Sequence, residues 1–114
     1  MKSSGVIDWS DLEERFGGDR ELIEAIAQLF LEHVDRQISE LSEAVHSQNA
    51  EAVWQEAHRI KGSLAQVAAR EGQELAFELE SAGRLGDLSQ SLPLLDRILA
   101  VVHEAKAEFL RQLR

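Results

Sequence analysis

The chain has 114 residues, no cysteine, and 12 Lys plus Arg against 21 Asp plus Glu, a formal charge of −9. That balance repels the phosphates of DNA or RNA, and the lack of cysteine rules out a disulfide scaffold or a thiolate metal site. Apolar runs such as 92–95 and 99–102 fall far short of the roughly 20 residues that span a bilayer. One domain, 1–114, is expected, with residues 1–7 as a loose N-terminal tail; no apolar signal segment follows Met1, so a cytoplasmic setting is expected.

Only 1 Pro and 6 aromatic residues accompany an abundance of Ala, Leu, Glu, Gln and Arg, which lose little side-chain freedom in a helix, and no strand pattern competes. In the first segment, Asp8 and Ser10 are candidate caps, Trp9, Leu12 and Phe16 repeat at helical spacing, and Gly17-Gly18 ends a short helix. Asp19 then caps a long helix whose stripe is Ile23, Ile26, Phe30, Val34, Ile38, Leu41 and Val45. No breaker interrupts it before Asn49, so a rod of ~27 residues, about 40 Å long, is predicted.

Asn49 caps a third helix carrying Val53, Ala57, Ile60, Leu64 and Val67. The next boundary is placed near 69–71, after which Leu75, Leu79 and Ala82 define a fourth helix stopping in the span 83–86. Pro93 suits the first turn of a last helix with Leu95, Ile98, Val102, Ala105, Phe109 and Leu113 on one face. Four amphipathic helices joined by short turns bury their stripes against one another. The expected fold is an all-α antiparallel up-and-down four-helix bundle with a short additional N-terminal helix, monomeric because the bundle closes on itself.

His58 lies one residue past the core position Ala57, about 100° around the helix, and is expected to be partly exposed. Lys61 and Gly62 follow at i+3 and i+4 on the same face. A mid-helix glycine costs roughly 1 kcal/mol relative to alanine, so Gly62 asks for a reason beyond helix formation. Clearing a side chain one turn from an imidazole lets another molecule approach, and Lys61 supplies a mobile cation for an anion carried there. Residues 50–70 hold 3 bases against 2 acids, whereas 1–49 hold 4 against 11 and 71–114 hold 5 against 8. The one non-negative stretch, with Arg59, Lys61 and Arg70, therefore surrounds His58.

His33, His46 and His103 lack a glycine one turn on and read as solvated side chains. No His-x-x-x-His pair points to zinc, and the acids read as ordinary solvated helix faces rather than an active site.

The run Ala57-His58-Arg59-Ile60-Lys61-Gly62-Ser63-Leu64-Ala65-Gln66-Val67-Ala68-Ala69 resembles the signature of the histidine-containing phosphotransfer (HPt) domain family, roughly Ala-His-x-Leu-Lys-Gly-x-x-x-x-Leu-Gly-Ala. Gly17-Gly18-Asp19, Phe30 and Leu79-Glu80 extend the likeness over nearly the whole chain. Two positions depart from it: Ala68 where the family usually has glycine, and Gly72 where it has a large apolar residue.

The resemblance implies a phosphorelay intermediate without catalysis of its own. His58 would take a phosphoryl group from a receiver's aspartyl phosphate and pass it to another receiver, with Lys61 offsetting charge and Gly62 giving steric clearance. An imidazole with its ordinary titration near about pH 6.5 is mostly neutral at neutral pH and has a lone pair for attack. Glu80 occupies the position of a partner for Nδ1; its alternative is a solvated helix acid. Implied partners are response-regulator receivers and a hybrid histidine kinase. No intrinsic cofactor is expected, and magnesium would come from the receiver. The docking face would carry Trp54, Gln55, Arg59, Lys61, Gly62 and Ala65, with Trp54 either a contact aromatic or lying over the bundle edge beside Val53. Two other functions fit a helical bundle: an adaptor that binds a receiver or kinase without transfer, and a purely structural module.

Overall fold

The computed structural model describes residues 5–113. Its helices are α1 (Trp9–Arg15), α2 (Arg20–His46), α3 (Ala50–Gln66), α4 (Arg70–Leu85) and α5 (Ser91–Gln112), with no strand among the described residues. α2 to α5 form the four-helix bundle, each packed on the next in sequence and α2 closing the ring against α5. The α2 rod runs the predicted 27 residues in a domain whose long dimension is 41 Å.

The caps act as their chemistry dictates. Asp8, Asp19 and Asn49 side chains accept hydrogen bonds from the amides of Asp11, Leu22 and Ala52, satisfying donors that the first helical turn leaves open. α3 ends in a Schellman turn: the Ala68 amide donates to the Ala65 carbonyl and the Ala69 amide to the Leu64 carbonyl, with Ala68 at φ +59°. The left-handed backbone explains why glycine suits this position, and Ala68 holds it with a methyl buried in the core. At the second departure, a Cβ on Gly72 would lie 2.8 Å from Val101 Cγ1 and 3.1 Å from Leu64 Cδ1, so those side chains fill the space a larger residue would take.

The predicted stripes are buried at their centres. Ile26 and Ile38 are only half-buried, because successive steps of four drift off the face, and Ala27 takes the fully buried position beside Ile26. Gly83 lies inside the last turn of α4, and the chain turns at Gly86, whose φ is +75°.

The expected loose tail needs correction. Residues 1–4 lie outside the described residues, but Val6 and Ile7 are fixed: their amides donate to Glu108 Oε2 (2.7 Å) and Oε1 (3.3 Å), and Ile7 is fully buried. Trp9 Nε1 donates to the same Oε1 at 3.1 Å. α1 thereby closes one end of the bundle, with Trp9 edge-on to Phe109 at 5.4 Å and Phe30 edge-on to it at 5.7 Å. The Asp8 amide joins α1 to the α3–α4 turn through the Ala68 carbonyl. No helix among the described residues is long and apolar enough to cross a membrane.

Candidate functional site

His58 stands on the outer flank of α3 where α4 passes beside it. Its side chain is 58 % exposed, and Nδ1 lies 3.1 Å from Glu80 Oε2. Glu80 sits on the side of α4 turned toward α3 and is 4 % exposed. The sequence left open a solvated acid at this position; the structure instead buries it against the histidine.

Three donors converge on that carboxylate. Beside His58, Lys61 Nζ lies 2.7 Å from Oε1, and Arg84, one turn along α4, brings Nη2 to 3.2 Å and Nε to 3.3 Å from Oε2. Burial alone would push the Glu80 carboxyl up, but hydrogen bonds from Lys61, His58 and Arg84 outweigh it and hold the group below the ordinary glutamate range. An ionised carboxylate only accepts hydrogen bonds, so Nδ1 carries the proton and Nε2 keeps its lone pair in the neutral ring.

Lys61, read from the sequence as a mobile cation, is paired in the unphosphorylated protein with Glu80 and lies 5.3 Å from the centroid of the Phe77 ring. The basic patch is likewise partnered, Arg59 by Glu56 and Arg70 by Asp8 and Asp11 on α1. Arg70 thus fastens α1 to α4. Gly62 faces open space, since a Cβ built there meets nothing within 4 Å. Packing therefore does not demand glycine at this position.

The remaining docking candidates divide. Gln55 and Arg59 are exposed on α3, and Ala65 is half-buried, its carbonyl accepting from Arg15 Nη1. Trp54 is half-buried and lies toward α4, with the Arg84 guanidinium carbon 4.0 Å from its ring centroid. Arg84 and Phe77 are the neighbours that sequence reasoning missed. The readable signal for Arg84 is its i+4 spacing from Glu80; Phe77 has none, because its meeting with Lys61 depends on how two helices pack. His33, His46 and His103 are exposed, as expected.

A family model described as the Hpt domain matches residues 25–108. The chain belongs to the Hpt domain family. Its structure is similar to that of histidine-containing phosphotransfer protein B (HptB) from Pseudomonas aeruginosa PAO1, with a TM-score of 0.87, 19 % sequence identity and 96 % of each chain covered. At that identity the likeness speaks for the fold. No curated protein matches the sequence. Membership makes this Hpt domain a histidine phosphotransfer protein of the phosphorelay type, a carrier rather than an independent catalyst.

Proposed function

We propose that His58 is the phosphoacceptor of this Hpt domain, taking a phosphoryl group from one receiver's aspartyl phosphate and yielding it to another. The observation that carries this reading is the His58–Glu80 contact: the ring's one hydrogen bond among the described residues is at Nδ1, on an imidazole more than half exposed. Nε2 attacks phosphorus in line; the new N–P bond forms as the P–O bond to the aspartyl carboxylate breaks, and that carboxylate leaves with the electron pair. The proton stays on Nδ1, where Glu80 offsets the positive ring. Transfer onward reverses these steps with a second receiver's carboxylate as nucleophile.

Lys61 leaves Glu80 for the phosphoryl oxygens once they arrive, while Arg84 keeps Glu80 paired. Gly62 gives the incoming receiver room beside the ring. The docking face comprises Trp54, Gln55, Arg59, Lys61, Gly62 and Ala65, and the partners are response-regulator receivers and a hybrid histidine kinase. Magnesium comes with the receiver; among the described residues no group of three or more His, Asp or Glu side chains is placed to hold a metal ion. The protein acts as a cytoplasmic monomer that relies on its partners for catalysis.

Intact-mass spectrometry after incubation with a phosphorylated receiver and magnesium tests the assignment. The wild type should gain one acid-labile phosphoryl group and His58→Gln none. Binding without labelling, across several receivers, would replace transfer with an adaptor role.

A further inference from the structure

α3 and α4 approach so closely at Gly83 that backbone nearly meets backbone: a Cβ there would lie 2.7 Å from Trp54 N and 2.9 Å from the Ala50 carbonyl oxygen. Main-chain atoms cannot turn aside as a side-chain end can. A residue of any size would force the helices apart one turn from Glu80, whose contact with His58 depends on the same spacing. The close approach also sets the Trp54 indole beside α4. There the planar Arg84 guanidinium lies over the ring while Nε and Nη2 reach Glu80 Oε2, the oxygen that meets His58 Nδ1.

We propose that Gly83 and the Trp54–Arg84 stack are a positioning device for the histidine. Gly83 sets the distance between the two helices, and Arg84, clamped on Trp54, fixes the Glu80 carboxylate so that His58 keeps its proton on Nδ1 and presents Nε2. Trp54 then serves transfer through Arg84 as well as any contact with a receiver. Lys61 meets the other carboxylate oxygen, so it can depart while Arg84 still holds the one bonded to His58. The proposal rests on the phosphoacceptor reading for its consequence in transfer, but its geometric content concerns the unphosphorylated protein.

The test is a long-range proton–nitrogen spectrum of the full chain labelled with 15N-histidine, taken at about pH 8, where an ordinary imidazole is neutral. His58 is assigned among the 4 histidines by its loss in His58→Gln. The wild-type ring should be protonated on Nδ1. Arg84→Met and, separately, Gly83→Ala should each shift His58 toward a mixture with the Nε2-protonated form and slow receiver-to-His58 transfer about tenfold, the lower end of the effect of losing a group that orients a histidine. Arg84→Lys should recover part of both, since a lysine at i+4 still reaches Glu80.

An unchanged tautomer in Arg84→Met or in Gly83→Ala, with wild-type helicity by circular dichroism, would overturn the proposal. If the wild type takes no phosphoryl group from any receiver, the phosphoacceptor reading fails, while the tautomer comparison still decides the positioning claim.

Discussion

Glu80 and Glu108 are both drawn almost wholly out of water, at 4 % and 5 % exposure, yet their donors differ in kind. Glu108 is met by two backbone amides and an indole N–H, groups fixed by the chain itself, and the result is a closed seam between the N-terminal segment and α5. Glu80 is met by a histidine, a lysine and an arginine, side chains that retain 58 %, 24 % and 53 % of their exposure, and the lysine can turn to another partner while the arginine stays on the carboxylate. A buried acid surrounded by immobile donors fastens structure. One surrounded by partly exposed side chains can hold a reactive group and exchange a neighbour.

The contrast breaks most visibly at Glu108. Glu108→Ala leaves Val6 N, Ile7 N and Trp9 Nε1 without their acceptor and should cost about 3 kcal/mol, read from the denaturant midpoint, while transfer in the surviving folded fraction is unchanged. Glu80→Leu should show the opposite pattern: about 1 kcal/mol or less in stability, because its donors can rehydrate, and transfer slowed about tenfold. If the two variants behaved alike in both assays, the distinction would be lost.

Acid sharpens the same contrast. Since Glu80 titrates lower in the fold than in the unfolded chain, its contribution to stability is complete above the ordinary glutamate range, about pH 4.3, and is lost as pH falls through the lower folded value. Urea midpoints measured down that range should fall less steeply in Glu80→Gln. Gly62→Ala should stabilise the protein by about 0.5 to 1 kcal/mol, because a methyl there meets nothing and alanine favours the helix. Gly62→Gln should fold equally well but transfer more slowly. The smallest effect belongs to Ala68→Gly, at the turn joining the two regions: relief of the left-handed strain is offset by a lost buried methyl and a freer unfolded chain, leaving a change within about 0.5 kcal/mol.

Helix order, most boundaries and the exposure of His58 were legible because they depend on neighbours within one turn: Asp19 and Asn49 cap where they stand, and Ala57 fixes the angle of His58. Lys61 and Gly62 could be placed on the histidine's face for the same reason. What escaped is the meeting of separate helices. Nothing along α3 reveals that Lys61 is engaged by Glu80, and the small residue at Gly83 reads equally well as a helix terminator until Trp54 is seen against it. Glu108, like Arg84, was a readable omission: an acid at i+3 from the core residue Ala105 and adjacent to Phe109, where an unpaired charge has no place.

The flank position of His58 carries a kinetic consequence. One imidazole on one convex helix face admits a single visitor, so a phosphate donor and a phosphate acceptor exclude each other. On the proposed reading, transfer follows a double-displacement scheme: initial rates plotted reciprocally against one receiver give parallel lines as the other is varied, and each receiver, once it has reacted, competitively inhibits the next.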